Sequence, residues 1–167
     1  MRDLRQERLR RRFRPPKVST LFIGESPPAS GRFFYQQDSG LYRAMLQAFV
    51  SANPGLTDET FLEAFRDAGC YLIDLCANPA DALSPPLRKA ARNAAEPSLA
   101  RTIVKLAPPR IVTLLRAIEP NVGRAIARAG WSGERVSLPY PGRWKRHRET
   151  FVRELGSIAA LLSHGAA

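Results

Sequence analysis

The sequence predicts an α/β fold with a mainly parallel sheet covered by helices on both faces. Three observations carry this: short apolar runs recur along the chain, each stops at a Gly or Pro loop, and helix-periodic segments lie between them. The first run, Lys17 to Ile23, follows Pro15-Pro16 and stops at Gly24. Tyr71 to Leu75 ends in Ala77-Asn78-Pro79, Arg110 to Leu115 follows Pro108-Pro109, and a weaker Arg135 to Leu138 stops at Pro139.

The helical segments follow from spacing and caps. Gly40 to Val50 places Leu41, Met45, Ala48 and Phe49 on one face. Asp58 to Ala68 opens at a Thr57 N-cap, groups Phe61, Leu62 and Phe65, and stops at Gly69. Pro97 to Leu106 is expected to be helical after an irregular Pro-rich stretch, and Asn121 to Ala129 carries Val122, Ala125, Ile126 and Ala129. The last helix is expected over about Arg143 to Leu162, with Trp144 leading a core-facing stripe through Phe151, Leu155, Ile158 and Leu162.

A chain of 167 residues fits one domain able to bury roughly 70% of its unfolded surface. With 44% hydrophobic and 25% charged residues, disorder and low-complexity scaffolds are excluded. No apolar run nears the ~18 residues of a membrane span and the first sixteen residues contain no apolar signal core, so a cytoplasmic protein without a membrane partner is expected. The expected division is a basic N-terminal arm, 1–16, and one α/β domain, 17–167. A monomer is expected.

The formal net charge is +11, which favours polyanionic partners. Residues 1–17 hold seven Arg and Lys17 against Asp3 and Glu7, so more than half of that excess lies in the first tenth of the chain. The arm reads either as a phosphate-binding extension or as a solvated terminus. Cys70 and Cys76 flank an apolar run and read as core thiols. With only two His in the chain they make no four-ligand metal site, so neither metal nor cofactor is expected.

In an open parallel sheet, ligands bind beyond the carboxyl ends of the strands. The loop after the first strand reads Gly24-Glu25-Ser26-Pro27-Pro28-Ala29-Ser30-Gly31-Arg32-Phe33-Phe34-Tyr35. Gly24 permits close approach, Pro27-Pro28 fixes the path, and Glu25 brings a carboxylate that can orient or deprotonate water. The same residues also fit an ordinary turn, with Glu25 as a backbone cap and the aromatics in the core. Dinucleotide and NTPase glycine motifs are absent.

Strand-Gly24-Glu25-Ser26-Pro27-Pro28, the aromatic cluster after it, and Leu138-Pro139-Tyr140-Pro141-Gly142 after the last strand resemble the two active-site motifs of the uracil-DNA glycosylase superfamily. The resemblance spans about residues 17 to 160. It implies a three-layer α/β/α fold on a four-stranded parallel sheet, a pocket for a base flipped out of DNA, and metal-independent cleavage of the N-glycosidic bond. Nucleic acid is the implied partner, DNA ahead of RNA. Glu25 matches the position that places the attacking water or stabilises the cationic sugar. Phe33 or Phe34 matches the aromatic that stacks on the base, an interaction of ~1–3 kcal/mol. Gly24, Asp74 and Tyr140 complete the implied base site, and Ser30, Gly142, Arg143, Lys145 and Arg146 the implied backbone contacts.

Two departures separate this chain from that pattern. Asp74 stands where many members read the base with Asn, and an ionised Asp offers acceptors only. Leu138 stands where a His would donate to the leaving base, and losing such a donor costs on the order of a hundredfold in rate. Three expectations therefore stand together: a base-excising enzyme, a non-catalytic nucleic-acid or nucleobase binder on the same fold, and a small-molecule enzyme using the same crevice. His147 and His164 are expected at the surface.

Overall fold

A computed structural model describes residues 3–164, with side chains through Leu162. Four strands, β1 (Thr20–Gly24), β2 (Cys70–Asp74), β3 (Arg110–Thr113) and β4 (Glu134–Ser137), form one all-parallel sheet in the order β2-β1-β3-β4. Six helices accompany them: α1 (Leu4–Arg12), α2 (Gly40–Ala52), α3 (Asp58–Asp67), α4 (Pro85–Leu106), α5 (Glu119–Ala129) and α6 (Lys145–His164). α2 packs against α6 and α4 against α5, and helices flank the sheet in the expected three-layer α/β/α arrangement. Among the described residues no helix is long and apolar enough to cross a membrane.

The central strands are buried on both faces, which is why they read as unbroken apolar runs: Leu21, Phe22, Ile23, Ile111 and Val112 are fully enclosed. Phe22 meets Phe65 at 5.4 Å between ring centroids, and Phe65 meets Phe34 at 5.5 Å, so the aromatics of the loop after β1 are packed onto α3. β2 is an outer strand whose free edge would present unpaired backbone. Tyr35 covers it: its hydroxyl donates to Leu72 O at 3.0 Å and accepts from Leu72 N at 2.8 Å.

Two expectations are corrected. The helix expected from Pro97 begins at Pro85, because Ser84 and Pro85-Pro86 form a helix start and Pro97 is carried inside it. Buried Glu96 then ties α4 to α5 by accepting from Asn121 Nδ2 and Arg124 Nη2, each at 2.7 Å. Trp144 does not lead the core stripe of α6, which runs through Phe151, Leu155 and Ile158; it precedes the first helical residue and is 73% exposed. The weak fourth strand pairs over Glu134–Ser137, and Leu138 lies just past it, fully buried.

The alternative of a wholly solvated arm also fails for Leu4–Arg12, which forms α1 with Asp3 as its N-cap. Gln6 is buried with Nε2 donating to Gly31 O at 3.3 Å, and Phe13 stacks on Tyr35 at 5.8 Å. Arg5, Arg8, Arg11, Arg12 and Arg14 remain exposed. Met1, Arg2 and the His164 side chain lie outside what is described, and His147 is exposed.

Replacing Tyr35 by Phe keeps the ring packing and strips both hydrogen bonds from buried Leu72. An unsatisfied buried backbone pair of this kind costs about 2 kcal/mol. Urea unfolding of Y35F should show that loss with an unchanged m-value; a loss below about 0.5 kcal/mol would mean the β2 edge is satisfied without the phenol.

Candidate nucleic-acid and base-binding site

The carboxyl ends of β1 and β2 meet in register, Gly24 beside Asp74, and this juxtaposition builds the site. A Cβ added to Gly24 would sit 2.9 Å from Asp74 Oδ1. Glycine is therefore required here by the neighbouring carboxylate, independently of any turn.

Glu25 follows Gly24 and is met by two guanidiniums one helical turn apart on α4. Arg88 Nε donates to Oε1 at 2.7 Å while its Nη2 takes Oε2, and Arg92 Nε and Nη2 both approach Oε1 at 2.6 Å. The Glu25 side chain is only 8% exposed. Burial pushes its carboxyl up, and the Arg88 and Arg92 hydrogen bonds outweigh that and hold it below the ordinary range. Glu25 is thus a firmly ionised, weakly basic carboxylate.

Asp74 has the opposite balance. Burial pushes its carboxyl up to about 6, against the opposing charge and hydrogen bond of Arg10, with Glu25 adding to the rise. Arg10 Nη2 donates to Asp74 Oδ2 at 3.1 Å, its Nη1 pairs with Glu7 at 2.9 Å, and its guanidinium lies 5.2 Å from the Phe33 ring centroid. The basic N-terminal segment therefore supplies a counter-ion to the strand-end site itself.

Above these carboxylates lies a cavity of about 410 Å³, within the size range of small-ligand pockets. Its lining contains Gly24, Glu25, Ser30, Phe33, Phe34, Asp74 and Tyr140, bringing together every residue expected to form the base site. Leu72, Leu114 and Leu115 give it an apolar floor, and Arg88 a cation. Phe33 and Phe34 are 2% and 3% exposed, so they serve as pocket wall and core at once. Tyr140 is 43% exposed at the rim, and burial and then the Asp74 charge raise its phenol.

Ser30, expected as a backbone contact, lines the cavity as well, but the rest of that group lies elsewhere. Gly142, Arg143, Lys145 and Arg146 do not line this cavity; they form the loop and first turn of α6, with Arg143, Lys145 and Arg146 exposed beside Trp144. Leu138 is likewise absent from the lining, so the residue at the expected His position faces the core. Cys70 and Cys76 are free and buried, and burial pushes their thiols up to about 12 and about 11, which leaves them unreactive.

Sequence reasoning misses Arg10, Arg88 and Arg92. The α4 pair carries a usable signal, because Ser84-Pro85-Pro86 marks a helix start and puts Arg88 and Arg92 on one face at i,i+4. Ser26 and Asp81 are anchors that it also misses: Ser26 Oγ accepts from Ala80 N and Asp81 Oδ1 from Ala29 N, each at 3.0 Å, tying the loops after β1 and β2 together.

The two carboxylates give opposite pH effects. Asp74 has a folded value of about 6 against an ordinary 3.8, so the folded state holds its proton more tightly and stability falls as pH rises between these values. Glu25 is lowered from 4.5, so its contribution is present at neutral pH and lost as pH falls below that value. Thermal melts of D74N minus wild type should therefore rise between pH 4 and 6 and be flat above about pH 7; a flat difference throughout would contradict the raised Asp74 value. E25Q should destabilise at pH 7 by about 2 kcal/mol, below the usual cost of breaking a buried ion pair because Arg88 is one-third exposed. Comparison of the sequence with protein-family models and with curated proteins gives no match.

Proposed function

We propose that this protein is a distant relative of the uracil-DNA glycosylases that binds nucleic acid and takes a single extruded base into the strand-end pocket. The observation that supports it most is the convergence of Gly24, Glu25, Phe33, Asp74 and Tyr140, drawn from the ends of three strands and the loops that follow them, on one cavity. A cavity with an apolar floor, aromatic wall and a few polar groups suits a flat heterocycle with a hydrogen-bonding edge.

Exposed cations supply the charge that a phosphate chain needs. Arg143, Lys145, Arg146 and Arg148 are exposed around Trp144, and Arg32 lies at the pocket rim. Phosphate contacts of this kind provide affinity without sequence preference, while the cavity reads the base.

Hydrolysis is the second reading, and the ionised Glu25 in the lining favours it. Against it stand the two arginines, which lower the basicity of Glu25, and Leu138, which brings no donor to a leaving base. Binding without cleavage is the reading better supported by these groups.

Fluorescence anisotropy against oligonucleotides tests the proposal. The logarithm of the binding constant should fall linearly with the logarithm of salt concentration, and combined R143A, K145A and R146A should reduce the slope by ~0.7–0.9 for each phosphate that is no longer neutralised. Base preference should persist in that variant. An absence of salt-dependent binding to any single- or double-stranded oligonucleotide would overturn the proposal. Single-turnover assays on uracil, hypoxanthine, xanthine and mismatched DNA should show no base release; release that E25Q slows by roughly 10² to 10⁴, the effect of removing an acid–base group, would establish hydrolysis instead.

A further inference from the structure

Asp74 ends β2 with a side chain 10% exposed, and its two oxygens are used differently. Oδ2 accepts from Arg10 at 3.1 Å. Oδ1 receives no hydrogen bond among the described residues and lies over Gly24, where a Cβ would approach it to 2.9 Å. Asp74 lines the cavity, so a carboxylate that is mostly enclosed turns one oxygen, reachable from solvent and without a protein donor, toward the place where a ligand would sit. An ionised carboxylate oxygen that is open to the cavity can only accept, so it is matched by a ligand N–H.

We propose that Asp74 is the specificity-determining residue of the pocket and that it selects a guanine-type base, one presenting a ring N–H beside an exocyclic amino group. The inference rests on the nucleic-acid reading above and deepens it. A carboxylate can only accept, and its two oxygens have about four lone-pair sites between them. With Arg10 occupying one site, Oδ1 and the remaining face of Oδ2 can receive two parallel N–H groups. Guanine offers that pair as N1–H and the 2-amino group. Uracil and thymine place their single N–H between two carbonyl oxygens, which the carboxylate repels. Adenine and cytosine each place an amino group beside a ring acceptor, so one of the two contacts becomes repulsive. Charged acceptors make stronger hydrogen bonds than neutral ones, and a mismatched edge leaves the buried carboxylate unpaired, so discrimination against the wrong edge is larger than for an amide reader.

Arg10 acts as a positioning residue. Its bonds to Asp74 and Glu7 and its place over Phe33 hold the carboxylate and the aromatic wall in one geometry. Gly24 contributes by its missing side chain, because any Cβ would cover Oδ1.

The test uses the full chain and short single-stranded oligothymidylates with one central guanine, hypoxanthine, uracil, adenine or cytosine, read by fluorescence anisotropy at one salt concentration. Guanine should bind at least tenfold tighter than hypoxanthine, which differs only by the missing 2-amino group and so controls for stacking, and uracil should bind no better than the thymine background. D74N, carrying a donor and an acceptor, should lose at least tenfold for guanine and gain for uracil. Hypoxanthine binding as tightly as guanine, or a guanine preference that persists in D74N, would overturn the proposal. Salt-dependent binding without preference for any central base would overturn it while leaving the nucleic-acid reading intact, whereas no binding to any oligonucleotide would remove both. The wild-type comparison of guanine with hypoxanthine needs no variant and decides the matter if D74N fails to fold.

Discussion

Two carboxylates stand side by side where neighbouring parallel strands end, and the surrounding structure is organised around holding them in place. Gly24 and Asp74 are register partners, so Glu25 and Asp74 share the same end of the sheet. Like charges removed from water repel strongly and each needs a counter-ion. Arg88 and Arg92 come from α4, after β2, and Arg10 comes from α1, before β1. Segments that precede and follow the two strands are thereby tied to one point. Such pairs add little net stability compared with apolar packing, but removing one partner is costly, so they fix position more than they strengthen the fold.

That arrangement also explains how one scaffold carries both an apolar pocket and a charged edge. The aromatics after β1 face two ways: Phe34 packs against Phe65 on α3, while Phe33 and Phe34 both form pocket wall. Tyr35 closes the β2 edge from the same turn. A segment fixed by ring packing and by paired hydrogen bonds to a strand backbone is pre-organised, which lowers the cost of receiving a rigid ligand. The exposed cations around Trp144 do not line that pocket.

The parallel sheet is legible in the sequence because strands buried on both faces must be continuous apolar runs, and Leu21-Phe22-Ile23 and Ile111-Val112 are such runs. The cavity is legible because strand-end loops of an open α/β sheet converge, which is enough to group Glu25, Asp74 and Tyr140. The arginines escape. α1 has a mostly charged surface and docks through only a few residues, Gln6, Leu9 and Phe13 among them, too few to create a periodic apolar signal. Arg88 and Arg92 escape because two successive prolines read as irregular chain although they start α4. Spacing alone puts Trp144 in the core, yet α6 begins one residue after it and the helical period does not extend to its position.

Whether the strand-end pocket is the place where a base is received is measured most directly by backbone amide chemical shifts during titration with a guanine-centred oligothymidylate. The largest shifts should fall on the non-proline residues from Gly24 to Phe34, and on Asp74, Leu114, Leu115 and Tyr140, with smaller ones at Arg143 to Arg148. Shifts confined to the exposed basic surfaces of α1 and α6, with the loops after β1 and β2 unmoved at saturation, would contradict it.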